Sequence, residues 1–198
     1  NEVLLKYKEL EEIAEAQNIR EELTLPILAG YENDLIKPLA ELKRIYPNIT
    51  LKIVEKNIHQ IIEGIEKKKF NLGLIFLFND ILKNKDFLDF QLILKEKAKL
   101  FVGKNSELAT YRSIPINELK NHTYIAFQGD FSQFFKNKYK EEIGPLNILF
   151  ESNKAETINK AVSLGLGYTL SFTFLMKSNP YVLRGDIVTV DIIEGDYS

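Results

Sequence analysis

Three short polar segments carry residue types that bind small molecules. Gly30-Tyr31-Glu32-Asn33 follows an apolar segment, and Phe127-Gln128-Gly129 and Ser152-Asn153 each follow a predicted strand. Phe78 and Ser171 stand at two further predicted strand ends. A glycine between a strand and a helix lets the chain turn and leaves the first helix amides pointing outward. With aromatic rings, a primary amide and hydroxyls, these segments predict a site for a small polar ligand.

Each segment also has an ordinary structural interpretation. Asn33 or Asp34 could cap the following helix from within, and Gln128 and Ser152 could belong to simple strand-to-helix turns. The carboxylate of Glu32 disfavours an anionic ligand, and no arginine stands in the set. We therefore expect a neutral or zwitterionic molecule rather than a dicarboxylate.

Patterns for catalysis and metal binding are missing from the sequence. The absence of cysteine excludes disulfides, thiolate metal sites and cysteine nucleophiles. His59 and His122 have no partner at a ligand spacing, and no Ser-His-Asp set or phosphate loop is present. Gly165-Leu166-Gly167 lacks the third glycine of a dinucleotide fingerprint and more plausibly lets a helix close against the next strand. We predict no enzyme, no cofactor and no metal.

Composition restricts the location and the partners. The 198 residues are 45% hydrophobic with a net charge of −2, which disfavours a nucleic-acid surface on this segment. No apolar run approaches the roughly 20 residues of a membrane span, and no export signal opens the chain. We expect a cytoplasmic protein that has no contact with a membrane.

The hydrophobic patterns indicate two α/β lobes. Residues 23–77 alternate strands and helices, which predicts a parallel sheet covered by helices. Further strands are predicted for residues 87–94, 98–103 and 187–193. The whole chain suggests about nine strands and six helices, too many for one small sheet.

Residues 1–20 predict a separate helix. They are acidic and free of glycine and proline, and Val3, Tyr7, Leu10 and Ala14 recur at spacings of three and four. Such a helix has too little apolar surface to fold alone, so it should pack against a partner.

Several pieces resemble one family in their order and spacing. They are the strand to Gly30, the helix ending in Tyr46-Pro47-Asn48-Ile49, the segment Asn71-Leu72-Gly73-Leu74-Ile75, the run from Leu100 to Ala109, Ile116-Asn117-Glu118-Leu119, and the run from Ala161 to Tyr168. Over residues 23–193 the chain resembles the effector-binding domain of LysR-type transcriptional regulators. Two features depart from that family: Ala29-Gly30-Tyr31 replaces a frequent Ser or Thr, and Leu170-Ser171-Phe172 replaces a frequent proline.

The resemblance implies the type 2 periplasmic-binding-protein fold, an α/β fold with two Rossmann-like lobes joined by two crossover strands. Residues 1–22 would end a linker helix, residues 23–94 plus 170–198 would form lobe I, and residues 95–169 would form lobe II. A small-molecule effector would bind between the lobes, walled by the candidate residues above. The chain would form a homodimer or tetramer and would meet DNA only through an N-terminal winged helix-turn-helix that this sequence does not contain.

Other function classes on the same scaffold fit less well. The first alternative is a solute-binding protein of a transport system, which the missing export signal disfavours. A porphobilinogen deaminase needs a cysteine to anchor its cofactor. A prephenate dehydratase carries a Thr-Arg-Phe motif, whereas Arg112 lies between Tyr111 and Ser113.

Overall fold

The computed structural model describes residues 22–28, 32–76 and 88–193. The chain divides into two compact units, residues 1–94 and residues 95–198. Gly30, Tyr31, Phe78 and the predicted helix over residues 1–20 lie outside the described residues.

The first unit contains a parallel strand pair, as the alternating pattern predicts. β1 (Glu22–Ile27) and β2 (Thr50–Glu55) run parallel in register, with the helix α1 (Glu32–Ile45) between them in sequence. Ile27 also forms a parallel bridge with Leu74. A connection of this length is typical of a parallel pair joined by a crossover helix.

Helix α2 (Ile58–Glu66) completes the described part of this unit. Asn57 and Gln60 form a capping box, in which each side chain accepts a hydrogen bond from the other residue's backbone amide. Ile58, Ile61 and Ile62 are buried on one face. This spacing of three and four residues predicted both the helix and its core face.

The second unit is larger. Its strands are β3 (Lys99–Gly103), β4 (Ser113–Pro115), β5 (Thr123–Phe127), β6 (Asn147–Ser152), β7 (Thr169–Ser171) and β8 (Ile187–Ile193). Its α-helices are α3 (Asp130–Glu142), α4 (Ala155–Ser163), α5 (Thr173–Met176) and α6 (Pro180–Leu183), and short 3₁₀ helices cover Glu107–Thr110 and Ile116–Asn121.

Hydrogen bonds place the strands of this unit in the order β4, β8, β3, β7, then β5 and β6. A bridge between Tyr124 and Tyr168 joins β5 to β7, and the amides of Tyr168 and Ile125 each donate a 2.8 Å bond across the junction, to Thr123 and Tyr168 respectively. β3 runs antiparallel to β7 and β8, whereas β5 is parallel to β6 and to β7. The parallel strands therefore end at one edge.

Two apolar layers cover the opposite faces of β5. Tyr124 and Ala126 pack in a cluster with Phe135 and Tyr139 of α3. The alternate residue Ile125 packs in a second cluster, with Phe101, Ile158, Ala161, Val162, Met176 and Ile187. The period of two along the strand assigns one face to α3 and the other to α4.

The Gly165-Leu166-Gly167 turn connects α4 to β7 and brings the chain close to β5. Gly165 has a φ of +78°, the left-handed conformation that often ends a helix. A Cβ at Gly167 would lie 2.4 Å from the carbonyl oxygen of Thr123. Only glycine allows this approach, so the turn is required for the junction between β5 and β7.

Two sequence-based expectations are wrong. No strand occurs in residues 88–94, where Phe90, Leu92 and Leu94 are exposed, because an apolar run forms a strand only where another strand pairs with it. Residues 170–198 were grouped with residues 23–94, but β7 and β8 both pair with β3. Strand pairing joins residues distant in sequence, and periodicity does not identify the partner. The short edge strand β4 was also missed.

The core of the second unit contains tyrosine hydroxyls that bond to backbone. The Tyr139 hydroxyl donates to the carbonyl of Ile116 and accepts from the amide of Lys120, both at 3.0 Å. Burial raises the pKa of Tyr124 to about 12, and its hydroxyl lies 3.1 Å from that of Ser132. These side chains are neutral at physiological pH and fix the 3₁₀ segment and α3 against the sheet.

We expect Tyr139→Phe to lower the free energy of unfolding by about 1–3 kcal/mol, because it leaves a buried carbonyl and an amide without their partner. Tyr168→Phe should cost less, since it removes only a 3.4 Å contact with the Leu119 carbonyl. Urea denaturation measures both. Tyr111→Phe, at an exposed position, is the control, and equal losses for all three variants would contradict the assignment.

Candidate functional site

Three of the predicted site segments meet at one edge of the second unit. β5 ends at Phe127 directly opposite Ser152, the last residue of β6, and β7 ends at Ser171, opposite Lys99 of β3. Since β5, β6 and β7 are parallel, these ends and the residues that follow them share the same edge. We call residues 127–129, 152–154 and 171–174 the strand-end edge. Such edges are where ligands bind in open α/β sheets.

Gln128 is held by its backbone and leaves its side chain exposed. Its amide donates a 2.9 Å bond to the Ser152 carbonyl, which joins the two strand ends beyond the last pair. Gly129 has an extended backbone and begins α3 without a side-chain cap. A Cβ there would lie 3.1 Å from the Phe127 ring, so the ring covers the glycine backbone. The exposed side-chain amide of Gln128 can therefore donate and accept hydrogen bonds at the start of α3.

Ser152 and Asn153 form the turn into α4. The Ser152 hydroxyl accepts a 3.0 Å bond from the Lys154 amide, which is the ordinary turn interpretation of this residue. Asn153 is exposed, and Lys154 begins α4 without a side-chain cap. Two helix N-termini therefore open at neighbouring positions of the edge, and their amides favour an electron-rich ligand group.

An aromatic pair lines the edge beside β7. Phe172 follows Ser171 directly, is buried, and packs against Phe131 of α3 with ring centroids 4.8 Å apart. The helical spacing of Phe131, Phe134, Phe135 and Tyr139 predicts a core stripe, and Phe135 and Tyr139 are fully buried. The contribution of Phe172 was missed, although an aromatic residue directly after a strand end was a readable signal.

Glu96 is a second residue that the sequence did not reveal. Its carboxylate accepts a 3.2 Å hydrogen bond from the Phe174 amide, which links the segment before β3 to the segment after β7. Lys99, opposite Ser171, forms a 2.9 Å ion pair with Asp191. The contact between Glu96 and Phe174 spans 78 residues of sequence, and no local pattern reports it.

The remaining predicted residues do not belong to the second unit. Glu32 and Asn33 are the first residues of α1, in the first unit, and their assignment to a ligand site stays a prediction. Gly30, Tyr31 and Phe78 fall outside the described residues, so their assignment to a ligand site stays a prediction.

Among residues 22–28, 32–76 and 88–193, no group of His, Cys, Asp or Glu side chains could hold a metal ion. In the same residues, no helix is both long and apolar enough to cross a membrane.

Comparison with known proteins identifies the family. The sequence profile of the LysR substrate binding domain matches residues 17–195. An uncharacterized HTH-type transcriptional regulator of Bacillus subtilis strain 168, YwbI, is 27% identical over 164 residues, which are 81% of this chain and 52% of the relative. The chain therefore spans about half the length of this curated relative.

Solved structures agree with the profile. The regulatory domain of CcmR from Synechocystis PCC6803, in complex with 2-PG, matches with a TM-score of 0.73 and 19% identity over 88% of this chain and 82% of that one. The effector binding domain of QuiR, in complex with shikimate, matches with a TM-score of 0.66 and 16% identity over 88% and 82%. At these identities the likeness shows the fold alone.

The chain belongs to the LysR substrate binding domain family. Its fold is the α/β, type 2 periplasmic-binding-protein-like fold of that family, as its sequence predicted. The relatives are bacterial transcriptional regulators, which are not enzymes.

Proposed function

We propose that this chain is the ligand-sensing part of a LysR-type transcriptional regulator. A small-molecule effector binds in the inter-lobe cleft expected of this fold, with the strand-end edge of the second unit as one wall. Binding is relayed to an N-terminal winged helix-turn-helix of the full-length protein. The observation that carries the proposal is the convergence of three parallel strand ends with open polar groups.

The edge supports an uncharged or zwitterionic effector. Phe172 and Phe131 supply apolar contact, while Gln128, Asn153 and the first amides of α3 and α4 supply directional hydrogen bonds. The Glu96 carboxylate disfavours a dicarboxylate, the Lys99 ammonium is paired with Asp191, and Lys154 is the one cationic side chain within the strand-end edge. A single carboxylate could still be accepted at a helix N-terminus.

Family membership favours the regulator over the transport alternative. The curated relative is described as a transcriptional regulator, and the structural neighbours are regulatory or effector-binding domains. We infer that the protein acts in the cytoplasm, where a DNA-bound regulator must work.

The effector can be sought with a thermal-shift screen of the purified chain against small metabolites, including 2-PG and shikimate. For the compound that binds, Gln128→Ala should weaken affinity by about 1–3 kcal/mol in calorimetry, because it leaves a polar group of the ligand unpaired. The melting temperature should change little, since the Gln128 side chain is exposed.

The matched control is Gln133→Ala, which also truncates an exposed glutamine but lies further along α3, where its amide bonds Asn137. It should leave affinity unchanged. If effector affinity is unchanged in Gln128→Ala and reduced in Gln133→Ala, the strand-end edge does not bind the effector.

We also propose that two copies pair side by side. In the family that the chain resembles, the first-lobe helix of one copy faces the second-lobe helix of the other, and here these are α1 and α4. Large apolar side chains are exposed on α1 and on β6, the strand before α4: Ile36 is 58% and Leu149 is 52% accessible. Such exposure is common at protein interfaces.

Ile36→Asp and Leu149→Asp should each shift the chain towards monomer in sedimentation velocity at tens of micromolar, because a buried carboxylate would lack a partner. Leu183→Asp, a matched change at an exposed leucine of α6, should leave the dimer intact. A wild-type chain that sediments only as a monomer at this concentration would contradict the proposal.

A further inference from the structure

Two polar side chains are buried in the second unit without a hydrogen-bond partner. Asn159 of α4 is 7% exposed and Thr169 of β7 is 3% exposed. Within the described residues, neither the Asn159 amide nor the Thr169 hydroxyl is bonded. The third buried polar side chain, Ser132, differs because its hydroxyl lies 3.1 Å from that of Tyr124.

Asn159 and Thr169 face the same layer. Thr169 lies directly opposite Phe101 on the neighbouring antiparallel strand, so their side chains share one face of the sheet. Phe101 packs with Ile158 and Val162 of α4 on that face. Because α4 packs on β5 and β3, the strands that flank β7, both polar side chains lie between α4 and the sheet.

The two residues also lie at a similar depth below the strand-end edge. Asn159 is four residues into α4, or about 6 Å from its start. Thr169 is level with Ile125, two residues or about 7 Å from the end of β5. Helical side chains lean towards the N-terminus of their helix. The Asn159 amide therefore leans towards the edge at which α4 begins.

An unpartnered amide and hydroxyl in this layer lower the stability of the fold. Each loses its hydrogen bonds to water on folding and gains none from the described residues, whereas apolar residues of the same shape would fill the same space without that cost. The rest of the layer is apolar, with Phe101, Ile125 and Met176 among its members. Leucine at position 159 and valine at position 169 would therefore pack in this layer as well as Asn159 and Thr169 do.

We propose that Asn159 and Thr169 form a neutral polar niche that binds an uncharged hydroxyl group of the effector. The proposal rests on the proposed function, because it adds specificity-determining residues to the effector site. An amide offers two N–H donors and one acceptor, and the threonine hydroxyl can donate and accept, so together they match an alcohol. A carboxylate would be a buried charge without a counter-charge in this layer.

The first test is stability. Asn159→Leu and Thr169→Val keep the shape and remove the unpartnered groups, so each should raise the melting temperature by about 2–4 °C. Two further variants serve as controls for the melting temperature. Ser132→Ala removes a bonded hydroxyl and should lower the melting temperature, and Thr157→Val, at an exposed position of α4, should leave it nearly unchanged.

A lower melting temperature in both niche variants would overturn the proposal. It would mean that the two groups are already satisfied, for example by a structural water, and serve the fold.

The second test is binding of 2-propanol, followed by NMR on the whole chain. The side-chain amide resonances of Asn159 should shift on titration with 2-propanol, and Thr169→Val should weaken that response about tenfold. Acetone accepts but cannot donate a hydrogen bond, so its response should be weaker than that of 2-propanol.

Two outcomes separate this inference from the proposed function. If 2-propanol shifts Gln128 and Asn153 but leaves Asn159 unaffected, the niche is wrong and the strand-end site stands. If the Asn159 resonances shift with 2-propanol while effector affinity is unchanged in Gln128→Ala, the niche stands and the strand-end site is wrong.

Discussion

The second unit depends on the junction between β5 and β7. Two backbone hydrogen bonds of 2.8 Å join Tyr168 to Thr123 and Ile125, and they require a glycine at position 167. The rings of Tyr124 and Tyr168 stack beside this junction at 5.2 Å. Without it, β5 and β6 would form an isolated pair, which is rarely stable alone. The junction is also what aligns the ends of β6, β5 and β7 at one edge.

The alignment of these strands explains how an ordinary core supports a binding surface. Each face of β5 is buried under one helix, so the strand is fixed and its C-terminal residues are not needed for packing. Gln128 and Asn153 are exposed immediately after their strands, where the backbone holds them but the side chains can change partners. A rigid sheet with variable residues at its C-terminal edge lets one fold accept different ligands.

Much of the fold could be predicted from the sequence because local patterns determine it. The alternation in residues 187–193 predicted β8 to the residue, and the spacing of Ile58, Ile61 and Ile62 predicted the core face of α2. Pairing was harder, since β8 joins β3 with Ile187 opposite Gly103, 84 residues apart in sequence, and no short pattern records that choice.

The candidate site was likewise predictable only in part. The positions of Gln128, Ser152 and Ser171 at strand ends were predictable, because each strand end can be read from its apolar run. Glu96 and Phe172 were missed because their roles arise from contacts with Phe174 and Phe131, which only the folded chain brings near. The unpartnered state of Asn159 and Thr169 is likewise a property of the packed layer, and composition gives no sign of it.

The central claim is that the strand-end edge of the second unit binds the effector. Hydrogen–deuterium exchange of the chain, with and without the bound effector, tests it most directly. We expect slower exchange in peptides that cover residues 127–133, 152–158 and 171–176, where ligand contacts and helix N-termini coincide. Exchange should be unchanged over residues 107–121, which contain β4 at the opposite end of the strand order. Protection confined to residues 107–121, with the three strand ends unaffected, would contradict it.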